Sequence, residues 1–500
     1  MGVNGTRTPR QMLRASMLMS AVLGSLGAVG LAALAPSPAY AQAGVAPDAE
    51  TLRQMRQELD ALKAAEAEAK AAERARAQRI DALAQQLARA SGEKVIATPP
   101  PTEIAQAPPA SPRTGAGGPS FEVYGFAQAD YIQDFKRVDP DWDAALRPSK
   151  IPTTDGQFGD DGQSIFSVRQ SRFGVQARQE IGGKDLFVKF EFDLFGTGDD
   201  AGQTTFRLRH AYGSWGPILA GQTNTLFMDG DTFPNTVEYW GPVGMVFVRN
   251  PQVRYTFATG AHKFAVAIEK PGNDIDTGNI RQLDPDLGAN IRGNEKLPDL
   301  TAQYRYEGGW GHVQLAGLLR KVGYETDGTP DNEPKDSKMG WGVNLSSNIK
   351  TWDKDVLHLS VVYGEGIASY MNDGGTDLAP KIRNRSGPPI LGVPPPGLLG
   401  PKAVPSLGVM AYYDHYWSDQ WSSSFGWSMH RQDNTSFQQV NAYHNGQYAS
   451  ANVLFTPDKR ILLGAEALWG QREDNNGNKG DDARVQFTFK YSFSSNDFLQ

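Results

Sequence analysis

The sequence contains no cysteine among its 500 residues. This absence excludes disulfides, a thiolate metal site, a catalytic cysteine and the lipid-attachment residue of a bacterial lipoprotein. A cationic excess is also missing, since 49 Lys plus Arg face 56 Asp plus Glu and give a net charge of −7. This balance argues against a general nucleic-acid binder, which is normally basic. Glycine (54) and aromatic residues (10 Trp, 17 Tyr, 23 Phe) are plentiful instead, and this mixture favours β structure.

The first 41 residues have the pattern of a cleaved secretory signal. Arg7, Arg10 and Arg14 precede an apolar run over residues 17–34, and the small-residue triplet 39–41 follows it. An uncleaved transmembrane anchor is the alternative, because the run approaches the length of a membrane span. Glycines inside the run and the cleavage site after it favour the signal, so we expect residues 1–41 to be removed on export.

Two segments of different composition come next. Residues 48–90 carry apolar side chains on a 3-4 spacing from Leu52 to Leu87, which predicts a coiled-coil helix in the periplasm. Glu66, Glu73 and Arg76 weaken its seam, and a single amphipathic helix on a surface is the alternative. Residues 97–120 hold seven prolines and a Gly-rich cluster, a composition that predicts an extended, semi-rigid linker.

From residue 121 to residue 500 the apolar pattern has a period of two. In one segment, the apolar side chains at even positions from Leu186 to Leu194 alternate with Lys189, Glu191 and Asp193. Segments of about ten such residues are typical of membrane strands, which contact lipid on one face and water on the other.

Short and long connections alternate between these segments. Seven short turns and eight longer loops join 16 strands, and an outer-membrane barrel has such turns on one rim and such loops on the other. The sequence therefore predicts an all-β fold, a 16-stranded antiparallel transmembrane β-barrel over residues 121–500, preceded by an N-terminal α-helical coiled coil. An even number of strands leaves both chain ends on the periplasmic side. A soluble sandwich or propeller is the alternative.

Arginines concentrate on the predicted water-facing side of the early strands. If the apolar residues face outward, the inward, pore-lining residues include Arg172, Arg178, Arg207, Arg209 and Arg254. Guanidinium groups bind carboxylates through paired hydrogen bonds, and rings of them favour anion passage. The alternative is that they pair with lumenal acids such as Glu191 and Asp193 and only stabilise the wall. Arg169 has the opposite parity, and we expect it to lie off this wall.

The third long connection, residues 228–246, combines acidic and aromatic side chains. It contains Asp229, Asp231, Glu238 and Tyr239. We expect this loop to fold into the barrel, narrow the pore and set its acids against the arginine wall, which would create a transverse field. An ordinary exposed loop is the alternative.

Several of these features resemble the DcaP-like outer-membrane porins. Besides the signal, the heptad helix and the linker, the similar runs are RQSRFGVQAR at 169–178, FRLRHAYGSWG at 206–216 and GQTNTLFMD at 221–229. The resemblance implies a homotrimeric barrel in a Gram-negative outer membrane that passively admits small hydrophilic solutes and prefers anions such as dicarboxylates. Such porins generally end on an aromatic residue read during assembly, so either Phe493 or Phe498 has this role here.

Two other functions compete with the porin. An outer-membrane hydrolase needs a histidine beside an activated hydroxyl, but neither His210, expected on the lipid face, nor His358, expected inward beside Ser360, has the spacing of a triad. A structural barrel with a weakly selective or closed pore, whose helix contacts the cell wall, differs from a porin in the filling of its lumen. We expect outer-membrane lipid and small anionic solutes as partners, and no nucleic acid, cofactor or metal site.

Overall fold

The computed structural model describes residues 119–159, 161–280, 290–382 and 399–497. Outside these residues lie the predicted signal, the predicted coiled coil, the linker up to residue 118, and Phe498. Within the described ranges, no helix combines the length and the apolar character needed to cross a membrane.

Sixteen antiparallel strands close into a barrel, and this confirms the predicted barrel. Two of them are interrupted, because β2 and β3 together form the strand beside β1, and β9 and β10 together form the strand beside β11. Pairing of β20 with β1 closes the barrel, while β14 and β15 form a separate two-stranded sheet. The strands are β1 (Ser120–Asp134), β2 (Gln163–Ser167), β3 (Arg172–Ile181), β4 (Lys184–Phe195), β5 (Thr204–Trp215), β6 (Ile218–Asn224), β7 (Arg249–Thr259), β8 (His262–Glu269), β9 (Ile291–Gly293), β10 (Asp299–Gly308), β11 (Gly311–Thr326), β12 (Asp336–Lys350), β13 (Val356–Glu365), β14 (Leu378–Ile382), β15 (Leu399–Ala403), β16 (Pro405–Tyr416), β17 (Trp421–Gln432), β18 (Tyr443–Asp458), β19 (Ile461–Asp474) and β20 (Lys479–Ser494).

The period-two pattern separates an apolar outer face from a polar inner face. On β4, Phe190 is 44% exposed whereas Glu191 is 3% exposed. On β20, Phe487 is 49% exposed whereas Gln486 is fully buried. Because side chains alternate across a strand, the outer face is apolar enough to contact lipid and the charged residues are directed inward.

One rim of the barrel carries tight turns and the other carries long loops. Gly182 and Gly183 join β3 to β4 with φ angles of 61° and 72°, a backbone conformation that glycine adopts without strain. Three of the loops on the opposite rim matter below. They are the first loop (residues 135–162), the third loop (residues 225–248) and the sixth loop (residues 366–404).

Candidate functional site

The third loop leaves the wall after β6 and runs into the barrel. Glu466 on β19 accepts hydrogen bonds from the backbone N–H groups of Val237 and Glu238, at 2.5 and 2.8 Å. Asn452 on β18 donates to the carbonyl oxygen of Asn235 at 2.7 Å. β18 and β19 are far from β6 in the order of strands around the barrel, so the loop crosses the lumen.

An apolar core fills the space between this loop and the far wall. At Gly244 the backbones are in close contact, since a Cβ atom there would clash with the carbonyl oxygens of Val409 and Met429. The core covers strands between β11 and β19, whereas the predicted arginine wall lies on β3, β5 and β7. Its buried members are Val138, Leu146 and Ile151 from the first loop, Phe227, Met228, Val243, Met245 and Val246 from the third loop, Ile367, Tyr370 and Met371 from the sixth loop, and Ala316, Leu318, Val362, Met410, Tyr412, Tyr448 and Leu468 from the wall.

Arg147 joins the first, third and sixth loops. Its guanidinium carbon lies 4.0 Å from the ring centre of Trp142 and 4.2 Å from that of Trp240. Its Nε donates to Asp373 at 2.8 Å. Cation–π contacts and a partly buried ion pair stabilise the same point, so the three loops are held together as one assembly.

On the arginine wall, the carboxylate of Glu191 pairs with three cationic side chains. Nε of Arg209 donates to its carboxylate at 2.9 Å, Nζ of Lys189 lies 3.2 Å away and Nη1 of Arg172 lies 3.6 Å away. The side chains of Arg172 and Lys189 are 21% and 19% exposed, but that of Arg209 is only 2% exposed. The first two can therefore contact a solute, whereas Arg209 belongs to the interior of the wall.

Asp193 is the second carboxylate of this wall. Arg207 donates to it through Nε at 3.1 Å and Nη2 at 2.7 Å, and Arg209 donates through Nη1 at 2.7 Å. The hydroxyl of Tyr239 adds a hydrogen bond at 2.5 Å, and its ring stacks on Phe195 with a centroid distance of 4.0 Å. Across both clusters, four cationic groups share two carboxylates, so the wall keeps two positive charges in excess.

The remaining two arginines predicted for the pore are also directed inward. Arg254 donates to the side chain of Gln252 at 2.8 Å and to the carbonyl oxygen of Asn224 at 2.6 Å. Arg178 lies near the turn that follows β3 and pairs with Asp185 at 3.4 Å. Arg254 therefore extends the cationic wall to β7, whereas the charge of Arg178 is matched by its partner.

Arg169 lies inside the barrel, and the prediction that it stays off the wall is wrong. A turn between β2 and β3 interrupts the strand, with the N–H of Ser171 bonded to the carbonyl oxygen of Val168 at 3.0 Å. The interruption resets the alternation, so that Val168 is 50% exposed and Arg169 is 4% exposed. The guanidinium of Arg169 stacks on Phe195 at 4.0 Å and donates to the carbonyl oxygen of Gly196 at 3.1 Å.

A bulge in β5 reverses the expected orientation of the residues that follow it. The register of β5 against β4 shifts by one residue at Arg209, as a β-bulge does. His210 is buried and lies 3.0 Å from the hydroxyl of Thr223, and Tyr212 is buried on the lumenal side opposite Lys189. The prediction that His210 faces lipid is therefore wrong, and Tyr212, which the same parity would direct outward, faces the lumen as well.

The two acids at the start of the third loop pair with β10 and its neighbours. Arg305 on β10 donates to Asp229 at 3.1 Å and also to Asp231. Oδ2 of Asp229 accepts a hydrogen bond from Ser346 at 2.7 Å and lies 2.7 Å from Nε2 of His312. These two acids therefore contact Arg305 on another part of the barrel and do not contact the arginine wall. The transverse field expected across the pore stays a prediction.

The ionisation of these acids follows from their neighbours. Burial opposes the charge of Asp229, but the hydrogen bond and charge of His312 and the charge of Arg305 prevail and lower its pKa. Burial raises the pKa of Asp231, against the attraction of Arg305. Asp229, Asp231 and His312 have ligand atoms within 4.8 Å of one another, and Arg305 forms ion pairs with both carboxylates. The group is therefore an ion-pair network.

Glu238 and Tyr239 contact different walls. Glu238 accepts hydrogen bonds from the backbone N–H groups of Leu146 at 2.9 Å and Gly241 at 2.6 Å, which ties the first loop to the third. Burial raises the pKa of Glu238, although these N–H groups oppose the shift. Of the four residues predicted from this loop, Tyr239 is the one that the structure places against the arginine wall, through Asp193.

The histidine that the sequence places beside a serine does not contact it. Nδ1 of His358 lies 2.9 Å from Asn348 and its Nε2 lies 3.1 Å from Asp414. Ser360 donates to Asn344 at 3.1 Å instead. A nucleophilic serine needs the histidine as its base, and this pair lacks that contact.

The protein is a closed 16-stranded antiparallel barrel with an apolar outer face and a charged inner face, and one of its loops folds into the lumen. This is the architecture of an outer-membrane porin. The family model described as DcaP outer membrane protein matches residues 118–377. This match covers more than half of the chain, and the protein belongs to the DcaP family.

A solved structure of a DcaP channel has the same fold. The outer membrane channel DcaP of Acinetobacter baumannii superposes with a TM-score of 0.61 at 23% identity, over 76% of this chain and 99% of that chain. An anion-selective porin from Comamonas acidovorans matches with a TM-score of 0.48 at 11% identity, over 75% of this chain and 100% of that chain. No curated protein matches the sequence.

Proposed function

We propose that this porin is a passive diffusion channel for small hydrophilic solutes and that it favours anions such as dicarboxylates. The observation that carries the proposal is the charge of the wall on β3, β4 and β5, where four cationic groups share two carboxylates. Arg172, Lys189 and Arg207 are each about one fifth exposed there. A water-filled passage lined by excess positive charge concentrates anions and repels cations.

The third loop is the constriction in this proposal. Asp229, Asp231 and Glu238 act as anchors, because their carboxylates are bound by Arg305 and by backbone N–H groups. Tyr239 is half-buried beside Arg207 and lines the passage. The solute path then runs between this loop and the cationic wall, on the side of the barrel away from the apolar core.

The proposed setting is the outer membrane of a Gram-negative cell, with lipid around the apolar outer face. We propose a homotrimer whose N-terminal coiled coil lies in the periplasm, where it can contact the cell wall. The chain has no catalytic role in this proposal and needs no cofactor or metal. The family and the fold support the membrane location, and the residue pattern of residues 48–90 supports the coiled coil.

A structural barrel with a closed or weakly selective pore is the second candidate. The apolar core built from three loops favours it, because this core occupies part of the lumen. Swelling of liposomes in small neutral sugars separates the two candidates. A channel admits the sugars and the liposomes swell, whereas a closed barrel leaves their size unchanged.

The selectivity is tested by the reversal potential of the full chain in a planar bilayer under a KCl gradient. We expect the potential to have the sign of chloride preference. We also expect it to shrink as the salt concentration rises, because exposed charge is screened over ~10 Å at 0.1 M salt. A reversal potential of zero or of the cation sign at low salt would contradict the proposed anion preference.

A further inference from the structure

Asp193 occupies a complete carboxylate-binding site. Its two oxygens accept four hydrogen bonds from two guanidinium groups and one phenol, namely those of Arg207, Arg209 and Tyr239. A fifth hydrogen bond comes from the backbone N–H of Phe195 at 3.2 Å. The side chain of Asp193 has no exposed surface. The protein thus binds one of its own carboxylates in the manner expected for a carboxylate ligand.

Arg207 is the part of this site that a solute can reach. Its side chain is 22% exposed. Nε and Nη2 are both taken by Asp193, while Nη1 has no hydrogen-bond partner among the residues that the structure describes. A solute carboxylate at Arg207 therefore meets a guanidinium whose Nε–Nη2 edge is occupied by Asp193 and whose Nη2 also donates to the hydroxyl of Tyr239.

We propose that Asp193 is an internal competitor that sets how tightly the channel holds a solute carboxylate, and that it is a specificity-determining residue of the pore. The inference rests on the proposed anion-channel function. Conduction requires an attraction strong enough for entry and weak enough for release. A free guanidinium edge in a narrow pore would bind a carboxylate in two parallel hydrogen bonds and delay its exit.

Glu191 does not have the same role, because its closest guanidinium is buried. Arg209 contacts both acids and is 2% exposed, so a solute cannot replace either acid there. Asp185 provides a matched control for the loss of one negative charge. It pairs with Arg178 near the periplasmic turn, where both side chains are about one third exposed.

The test measures the block of single-channel chloride current by succinate in the full chain. For Asp193→Asn we expect the half-blocking succinate concentration to fall by about tenfold, as charge-assisted hydrogen bonds to a freed guanidinium imply. For Asp185→Asn we expect a change below about twofold, because its partner is exposed and screened. Neutral succinamide should block neither variant.

A second variant separates competition from net charge and guards against misfolding. Asp193→Asn combined with Arg209→Gln removes one charge of each sign, so the net charge of the wall stays that of the wild type, but it still frees Arg207. If Asp193 competes with succinate for Arg207, this double variant should show the same tighter succinate block as Asp193→Asn. A block equal to that of the wild type in the double variant, or in Asp193→Asn itself, would overturn the inference.

The two proposals fail in different ways. If the wild-type channel shows no anion preference in its reversal potential, the proposed function is wrong. If the wild type prefers anions but freeing Arg207 leaves the succinate block unchanged, the proposed function stands and the role of Asp193 is wrong.

Discussion

Arg305 on β10 donates to Asp229 at 3.1 Å and fixes the start of the third loop against the wall of the barrel. The middle of the loop is fixed by Glu466 on β19, which accepts from the N–H groups of Val237 and Glu238. Between these points the loop crosses the lumen, and hydrogen bonds hold it to the wall on both sides. The position of Tyr239, and with it the width of the proposed passage, therefore depends on residues far from the cationic wall.

The partly exposed arginines of the wall should control selectivity. We expect Arg207→Ala to lower the ratio of anion to cation permeability about twofold to fivefold at 0.1 M salt, because one screened charge at a few ångströms contributes roughly 1 kcal/mol or less. Arg172→Ala and Arg254→Ala should also lower this permeability ratio, and pairs of these substitutions should lower it further. Reversal potentials in a KCl gradient provide the measurement.

Arg431→Ala is the control for this series, because its side chain is 54% exposed and its parity directs it to the outer face. We expect it to leave the reversal potential unchanged. An equal effect of Arg431→Ala, or unchanged selectivity in all of the wall variants, would refute the assignment of the anion path to this wall.

The buried arginine of the same wall should control stability instead. Arg209→Gln leaves Glu191 and Asp193 with less compensation in a buried setting, and breaking a buried charge pair typically costs about 3–5 kcal/mol. We expect the folded barrel to lose its heat resistance on a detergent gel at a lower temperature than the wild type. Heat resistance equal to that of the wild type would show that Arg209 is not needed to hold the wall together.

The docking of the third loop should weaken in acid through Asp229. Its pKa is lowered in the folded protein, so its contribution to stability is fully present above its ordinary value of about 4 and is lost as the pH falls through the lowered pKa. We expect the wild type to lose more heat resistance than Asp229→Asn between about pH 5 and about pH 2. Equal losses in the two proteins would exclude Asp229 as a source of this pH dependence.

The close approach at Gly244 should control the geometry of the pore. A methyl group there would clash with backbone carbonyl oxygens of β16 and β17, and overpacking of this kind typically costs about 1–3 kcal/mol. We expect Gly244→Ala to displace the third loop and change the single-channel conductance. Gly309→Ala is the matched control, because a Cβ atom there has no neighbour within 4 Å, and it should conduct like the wild type. Identical conductance in both variants would show that the loop tolerates the displacement.

The sequence predicts the barrel because lipid on one side and water on the other impose the same alternation on every strand. The inward direction of Arg172 and Arg207 follows from that alternation alone. Lys189 was missed as a member of the wall, although it stands at the same parity as Glu191 and Asp193 in the strand that shows the pattern best. A count of all inward charges, acidic and basic together, would have found it.

Local irregularities and distant contacts could not be predicted in the same way. The turn before Arg172 and the bulge at Arg209 each shift the alternation by a residue, and a period-two count carries no sign of either. The partners of Asp229 and Glu238 lie on strands remote in the sequence. Such pairs depend on where the loop docks inside the closed barrel, which no local pattern determines.

The N-terminal region should be needed for cohesion and not for conduction. The cationic wall and the third loop are both built from residues between β3 and β7 and from the strands that they contact, all after residue 119. We therefore expect a chain that begins at Pro119 behind an export signal to insert and to show the reversal potential of the full chain. If apolar barrel faces alone hold the proposed trimer together, this shortened chain stays trimeric in mild detergent. Dissociation to monomers would assign the cohesion to residues 48–90, and loss of all channel activity would show that the N-terminal region forms part of the pore.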